Sequence, residues 1–168
     1  LDSGDILLRE YLPININTKI TDCWKWMNKM IPKMFLNAVN KIDQNTVVFE
    51  QQFLNLKNIL RCYPRTLEDS KIDWSKSAKD VLRLINASNH PYAGAFCKYQ
   101  NNVMIIWDAE LVNDDENFLS IPGQVTKIGK NFIEVACGKE KLRIKEAEIN
   151  SFVHSPEYWV KSLRRRFK

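Results

Sequence analysis

Beyond Pro91 the chain reads as a series of short strands. AFCKY, VMIIWDAEL, GQVTKIG, FIEVAC and LRIKEAEI follow one another, rich in branched and aromatic residues. Between them stand QNN, NDDEN, IGKN and GKEK, which carry the Gly, Asn and Asp that tight turns favour. Strands of this length at this spacing predict a small barrel or meander for the second half of the chain.

The first half follows a different period. ILLREYLPINI over residues 6–16 alternates and predicts a strand, with Pro13 marking an edge or a bulge. Thr18 or Thr21 can then cap a helix over residues 22–42, where Trp24, Met27, Met30 or Ile31, Met34, Phe35, Ala38 and Val39 recur at three-to-four spacing. That stripe is expected to be a core face, and Pro32 is expected to kink or divide the helix. Residues 43–62 hold the short run TVVF and the segment FLNLKNILRC, which fits a short helix or a connector. In WSKSAKDVLRLINAS, Ser75 or Ser77 can cap a helix of about twelve residues, lined by Ala78, Val81, Leu82 and Ile85 and closed off by Pro91. At the other end, PEYWVKSLRRRF has Ser155 as a cap and Pro156 in the first helical position, and predicts a closing helix. Lys161, Arg164, Arg165, Arg166 and Lys168 would then sit as a solvated basic end against its dipole.

Composition narrows the class. The 168 residues, 45% of them apolar, suit one domain or two small ones. The net charge of +5 is compatible with phosphate-bearing ligands but is no nucleic-acid tail. No apolar run approaches the roughly 20 residues needed to cross a bilayer. Cys23, Cys62, Cys97 and Cys137 form no close pair, so separate thiols in a reducing, cytoplasmic compartment are expected. His90 and His154 lack partners at ligand spacing, and no metal is expected. The opening LDSGDIL is an acidic turn with none of the marks of a leader, and looks cut from a longer chain.

Two stretches carry the residues suited to chemistry. Asp2 stands in a turn at the entry to the first expected strand, where a carboxylate is exposed enough to act as a base. YPRTLEDSKIDW, residues 63–74, offers Arg65 for bidentate contact with an anion, then Asp69 and Lys71, with Ile72 and Trp74 as apolar anchors.

These stretches resemble the folate-dependent formyltransferases. LDSGDIL resembles their D-[TS]-G-x-I segment, YPRTLEDSKIDW their R-x-P-x-D-G-x-I-[DNE]-W linker, and INASNHPYAGAF their I-R-A-x-x-x-P-[YW]-P-G-A-F segment. IPGQVTKIGKNFIEVACGKEKLRI resembles the P-G-x-V and V-x-C-G-x-G-x-L-x-I portion of the same family. The resemblance implies an α/β protein. Residues 1–62 would be the C-terminal end of a Rossmann-like catalytic domain, and residues 63–168 a C-terminal domain of helix, small OB-like barrel or meander, and terminal helix.

It also implies an activity: transfer of a formyl group from N10-formyltetrahydrofolate, the co-substrate, to a primary amine. Asp2 matches the catalytic aspartate and, with Gly4, would lie at the donor. The Asn and His of the catalytic trio have no counterpart here, so these residues alone are expected to be inactive without the N-terminal half. Arg65 and Asp69 stand where the sugar enzymes tend to Arg and Asp and the transfer-RNA enzymes to Lys and Glu, which favours a nucleotide-linked aminosugar, such as a dTDP-sugar for a surface glycan. Arg65, Asp69, Lys71, Asn86, Tyr92 and Phe96 would contact that substrate, the two rings by stacking on a base. The alternatives are a methionyl-tRNA formyltransferase gripping initiator tRNA and a noncatalytic binding or assembly module. Leu67, Ser70, Asn86 and Ala93 depart from the family pattern. A homodimer is expected if the strands leave open edges.

Overall fold

A computed structural model of the chain describes residues 4–52, 60–113, 116 and 118–168. Two compact units emerge, one drawn from residues 1–13 and 22–65, the other from Ile14–Thr21 and Thr66–Lys168.

The first unit is dominated by helix α1 (Ile20–Asp43), which opens with two residues that cluster with the other unit. It is one helix through Pro32, not the two pieces that were one of the alternatives expected there. One lost backbone bond in a helix of 24 residues is carried by the turns on either side. The apolar stripe is where the period put it but is not a core face: no residue of α1 is buried among the described residues, and Phe35 is 69% exposed. The strand expected over 6–16 is also absent. Ile6 alone makes a bridge, exchanging backbone bonds of 2.8 and 2.9 Å with Glu50, and Arg9 Nη2 meets Glu50 Oε1 at 2.9 Å beside it. Pro13 and the turn of Asn15 to Thr18, where the Thr18 hydroxyl accepts from Asn15 N, take the remainder out of extended pairing.

The second unit holds the core and the sheet. A 3-10 turn (Leu67–Ser70) leads to helix α2 (Ala78–Ala87), which begins where Ser77 Oγ accepts from Asp80 N at 3.1 Å. Its buried face is Ala78, Val81, Leu82 and Ile85, the spacing read from the sequence. Six antiparallel strands follow: β1 (Ala95–Tyr99), β2 (Asn102–Leu111), β3 (Val125–Gly129), β4 (Phe132–Ala136), β5 (Lys141–Ile149) and β6 (Phe152–His154). Their order is β1-β2-β5-β4-β3, with β6 also on β5. Met104, Ile106, Ile133, Val135, Leu142 and Ile144 share one buried cluster with α2's apolar residues, a cluster that excludes water.

The expected closing helix does not form. Pro156–Tyr158 makes one 3-10 turn, and the chain then passes through a further turn at Leu163–Arg164 to the bridge of Arg166 with Gln124. The reason lies in the sheet. Lys98 on β1 and Lys168 exchange backbone bonds of 2.6 and 3.0 Å, while Val125 N on β3 donates to Arg165 O and Phe167 N donates to Gly123 O. Residues 165–168 therefore bond to both outer strands of the path and close the sheet toward a barrel. Phe167, 2% exposed, is driven between Trp74 and Tyr99, with ring centroids 5.7 and 5.3 Å away. The two open edges offer these residues backbone partners that a helix would leave unmet.

Two glycines follow from close approach. At Gly123, φ is +87° and a Cβ would stand 2.4 Å from Phe167 O; at Gly138 it would stand 1.8 Å from Ser75 O.

Candidate functional site

The second unit carries a band of charge across β2, β5 and β4. Along β2, Asp108 and Glu110 alternate with apolar neighbours, as Arg143 and Lys145 do along β5. Lys19 Nζ donates to Asp108 Oδ1 at 2.7 Å and to Trp107 O at 3.2 Å. Lys145 Nζ lies 3.0 Å from Asp108 Oδ2 and 3.2 Å from Glu110 Oε2. Arg143 ties Glu110 to the buried Glu134, which accepts from Nη2 at 2.8 Å. Burial works to raise the Asp108 carboxyl, but the hydrogen bonds from Lys19 and Lys145 outweigh it and hold the group below the usual carboxylate range. Lys145 is pushed up, chiefly by its bond to Asp108.

The segment Ile14–Thr21 is fastened to this band and to α2. Asn86 Nδ2 donates to Ile16 O at 2.8 Å, and Thr21 Oγ1 donates to His90 O at 2.6 Å. Asn89 Nδ2 donates to Trp107 O at 2.7 Å, and the His90 ring stacks on Trp107 with centroids 4.0 Å apart. Asn86, Lys19, Asp108, Glu110 and Lys145 line a cleft of ≈ 380 Å³.

The residues singled out from sequence fall in several places. Asp2 lies outside the described residues, as do residues 53–59 of the expected connector. Gly4 is exposed, its carbonyl accepts from Gln52 Nε2 at 2.6 Å, and a Cβ there would meet nothing within 4 Å. Arg65 is exposed at the end of the first unit. Asp69 is used locally, its Oδ2 accepting from Thr66 N at 2.6 Å to cap the 3-10 turn. Lys71 forms a parallel bridge with Phe96, and Ile72 N donates to Phe96 O. Phe96 is half-buried on β1, whereas the Tyr92 ring is 52% exposed on the loop after α2. Asn86 is 4% exposed, in the polar cleft, and Lys71 lines a different hollow of ≈ 780 Å³ with Trp74, Arg166 and Lys168. The structure thus joins Lys71 to Phe96 but sets Asn86 in another cleft.

Lys19, Asp108 and Lys145 were not singled out from sequence. Their signal was present, since charges two apart on β2 and β5 mark one polar face. A second feature was misread. Lys98, Arg164, Arg165, Arg166 and Lys168 share a groove of ≈ 430 Å³ with Tyr99 and Gln100, and among the described residues no acid lines it. The tail, bonded to the sheet rather than coiled, brings these cations together, which a helix would have dispersed. Among the described residues, no group of three or more His, Cys, Asp or Glu is placed to hold a metal, and no helix is long and apolar enough to cross a membrane.

Residues 65–162 match the family model described as formyl transferase, C-terminal domain. A methionyl-tRNA formyltransferase of Acetivibrio thermocellus is 29% identical over 153 residues, which are 90% of this chain and 47% of that protein. The chain thus spans about half the length of that curated relative. Crystal structures of HypX from Aquifex aeolicus share the fold: a variant superposes at a TM-score of 0.66 and the complex with tetrahydrofolic acid at 0.67. Each is 16% identical and covers 94% of this chain and 27% of the HypX chain.

Proposed function

The chain belongs to the formyl transferase C-terminal domain family, and from that premise we propose that its protein transfers a formyl group from N10-formyltetrahydrofolate to a primary amine on a phosphate-bearing acceptor. The observation that carries this reading is the family match over residues 65–162. A folate donor is in keeping with the HypX relative of the same fold, which was crystallised with tetrahydrofolic acid. The donor would supply the activated formyl carbon. The reaction then needs an unprotonated amine, donors for the developing oxyanion and a base for the amine proton. Asp2 is assigned that base, and the Asn and His that complete the trio are not in this sequence. The reaction runs where the folate pool is dissolved, which for this protein is the cytoplasm.

The acceptor assigned first is a nucleotide-linked aminosugar. Arg65 supports it, because a guanidinium fork matches a diphosphate, and so does the exposed Tyr92 ring, on which a base could stack. A second reading, methionyl-tRNA, is favoured by the five cations of the basic groove and by the relative from Acetivibrio thermocellus. Full-length protein given N10-formyltetrahydrofolate and either a dTDP-linked aminosugar or charged initiator tRNA separates the two. Formylation of the sugar alone is the expected result. Formylation of the tRNA alone transfers the assignment to the second reading, and formylation of neither leaves the third alternative, a binding or assembly module.

A further inference from the structure

The basic groove continues into an exposed apolar rim. Phe152 and His154 on β6 pack with Tyr158 and Trp159 of the turn that follows, their ring centroids 4.7 to 6.4 Å apart. Phe152 and Tyr158 nevertheless leave about half their surface in water, as does Leu163 a few residues on. Tyr99 joins rim to groove: it lines the groove, and its hydroxyl donates to Trp159 O at 3.2 Å. Lys161 Nζ stands 5.9 Å from the centre of the Tyr158 ring, on the rim itself. Glu157 is the one acid in the sequence from Phe152 to Lys168, and it is spent locally. Its Oε1 accepts from Asn131 N at 3.0 Å and from Ser155 Oγ at 2.8 Å. Single exposed apolar side chains are ordinary, whereas a group of them beside charge of one sign marks an interaction surface.

We infer that this face docks the protein reversibly on an anionic lipid surface, with the cations over the headgroups and Phe152, Tyr158 and Leu163 in the interfacial layer. Charge complementarity supplies the attraction, since Lys161 and the five cations of the groove meet no acid along its walls among the described residues. The rings favour lipid over an RNA strand. A base needs a free ring face on which to stack. Here His154 covers Tyr158 from 4.7 Å, Lys161 stands over Tyr158, and Trp159 meets Phe152, His154 and Tyr158 at 83 to 87°. The interfacial layer of a bilayer takes aromatic side chains, apolar in body and polar at the tip, without asking for a free face. Leu163, aliphatic and next to Arg164, offers nothing to a base but partitions into lipid. The docking stands apart from formyl transfer, because neither folate nor acceptor enters its test.

Cosedimentation of the full-length protein with vesicles of phosphatidylcholine, alone or with phosphatidylserine added, tests the inference. Each Lys or Arg held near an anionic leaflet is worth about five-fold in partitioning, so binding to the serine-containing vesicles should exceed binding to neutral ones by about tenfold or more. It should fall steeply in about 0.5 M NaCl. Arg164→Glu combined with Arg165→Glu should weaken it at least about tenfold. Phe152→Ser and Leu163→Ser should each weaken it about three-fold or more. Leu163 belongs to neither the ring cluster nor the buried core, so Leu163→Ser keeps the test decisive should Phe152→Ser unfold. Equal binding to both vesicles, no binding to either, or undiminished binding by the arginine pair or by Leu163→Ser would each overturn the inference. So would loss of initiator tRNA binding by Leu163→Ser with vesicle binding kept, which would assign the face to nucleic acid.

Discussion

At the scale of single residues, the acid at 108 does more than the sequence suggested. Its carboxylate is held between Lys19 and Lys145, and its proton affinity is lowered by them. A carboxyl whose folded value is depressed contributes stability above its unfolded value of about 4, and loses it as pH falls through the folded value. Asp108→Asn should therefore lower stability at pH 7 by about 1 kcal/mol, given partial exposure of the pair. In urea denaturation the gap to wild type should narrow as pH falls below about 4 toward the lower folded value; a gap that stays constant from pH 7 into that acidic range contradicts this account of the clasp. The thiols differ as sharply. Burial pushes Cys97 up to about 12, and burial with Glu140 nearby pushes Cys137 up to about 12, whereas Cys62 is exposed. Iodoacetamide at pH 8 should alkylate Cys62 well before Cys97 or Cys137. Peptide mass spectrometry with Cys97 labelled first would refute that order. The separate state of all four thiols was legible from their spacing, and the structure keeps each of them free.

At the scale of elements, the strands after Pro91 and α2 were legible because their period, caps and turn residues agree. Ser77 shows this for α2, where its hydroxyl takes the Asp80 amide. Ser77→Ala should cost about 1 kcal/mol in a thermal or chemical melt, and no measurable loss would mean that the cap is not what starts the helix. The two failures have one physical source. Residues 6–16 and 156–167 carry local signals for a strand and a helix, yet what decides them is where backbone partners stand in the fold, which no local period reports. For the tail those partners are Lys98, Gly123 and Val125. Gly123→Ala tests the closure: its φ of +87° and the 2.4 Å approach to Phe167 O leave no room for a methyl group. The variant should lose about 1–3 kcal/mol and expose the tail to carboxypeptidase. A stable, protease-resistant variant would show that residues 165–168 do not close the sheet. With both outer strands covered by the chain itself, open edges at β1 and β3 no longer argue for a dimer. The stripe on α1 was legible as a periodic face, whereas its exposure was not, because periodicity reports a face without saying what covers it.

At the scale of the whole molecule, charge is arranged as a neutral band on one set of strands and a purely basic groove beside the tail. The groove gives the two acceptors different salt signatures. Five cations on a polyanion predict that log affinity for tRNA falls against log salt with a slope of up to about −4, if that is the acceptor. A nucleotide-linked sugar, with two phosphates, predicts a much shallower dependence. The family was legible because motifs near Asp2, Arg65, Asn86, Gly123 and Gly138 stand in the family's order, and two of those glycines prove to be positions of close backbone approach. The division of the polar residues between two clefts was not legible, since Lys71 and Asn86 are close in sequence and only the fold separates their surroundings. The central claim, formyl transfer to a sugar amine with Asp2 as base, is tested most directly by one comparison. Formylation of a dTDP-linked aminosugar is followed by mass spectrometry for full-length wild type and Asp2→Asn, with affinity for the nucleotide sugar measured on the same samples. The account predicts a fall in turnover of about a hundredfold or more with affinity unchanged; undiminished turnover by Asp2→Asn, or a wild type that never formylates the sugar, would contradict it.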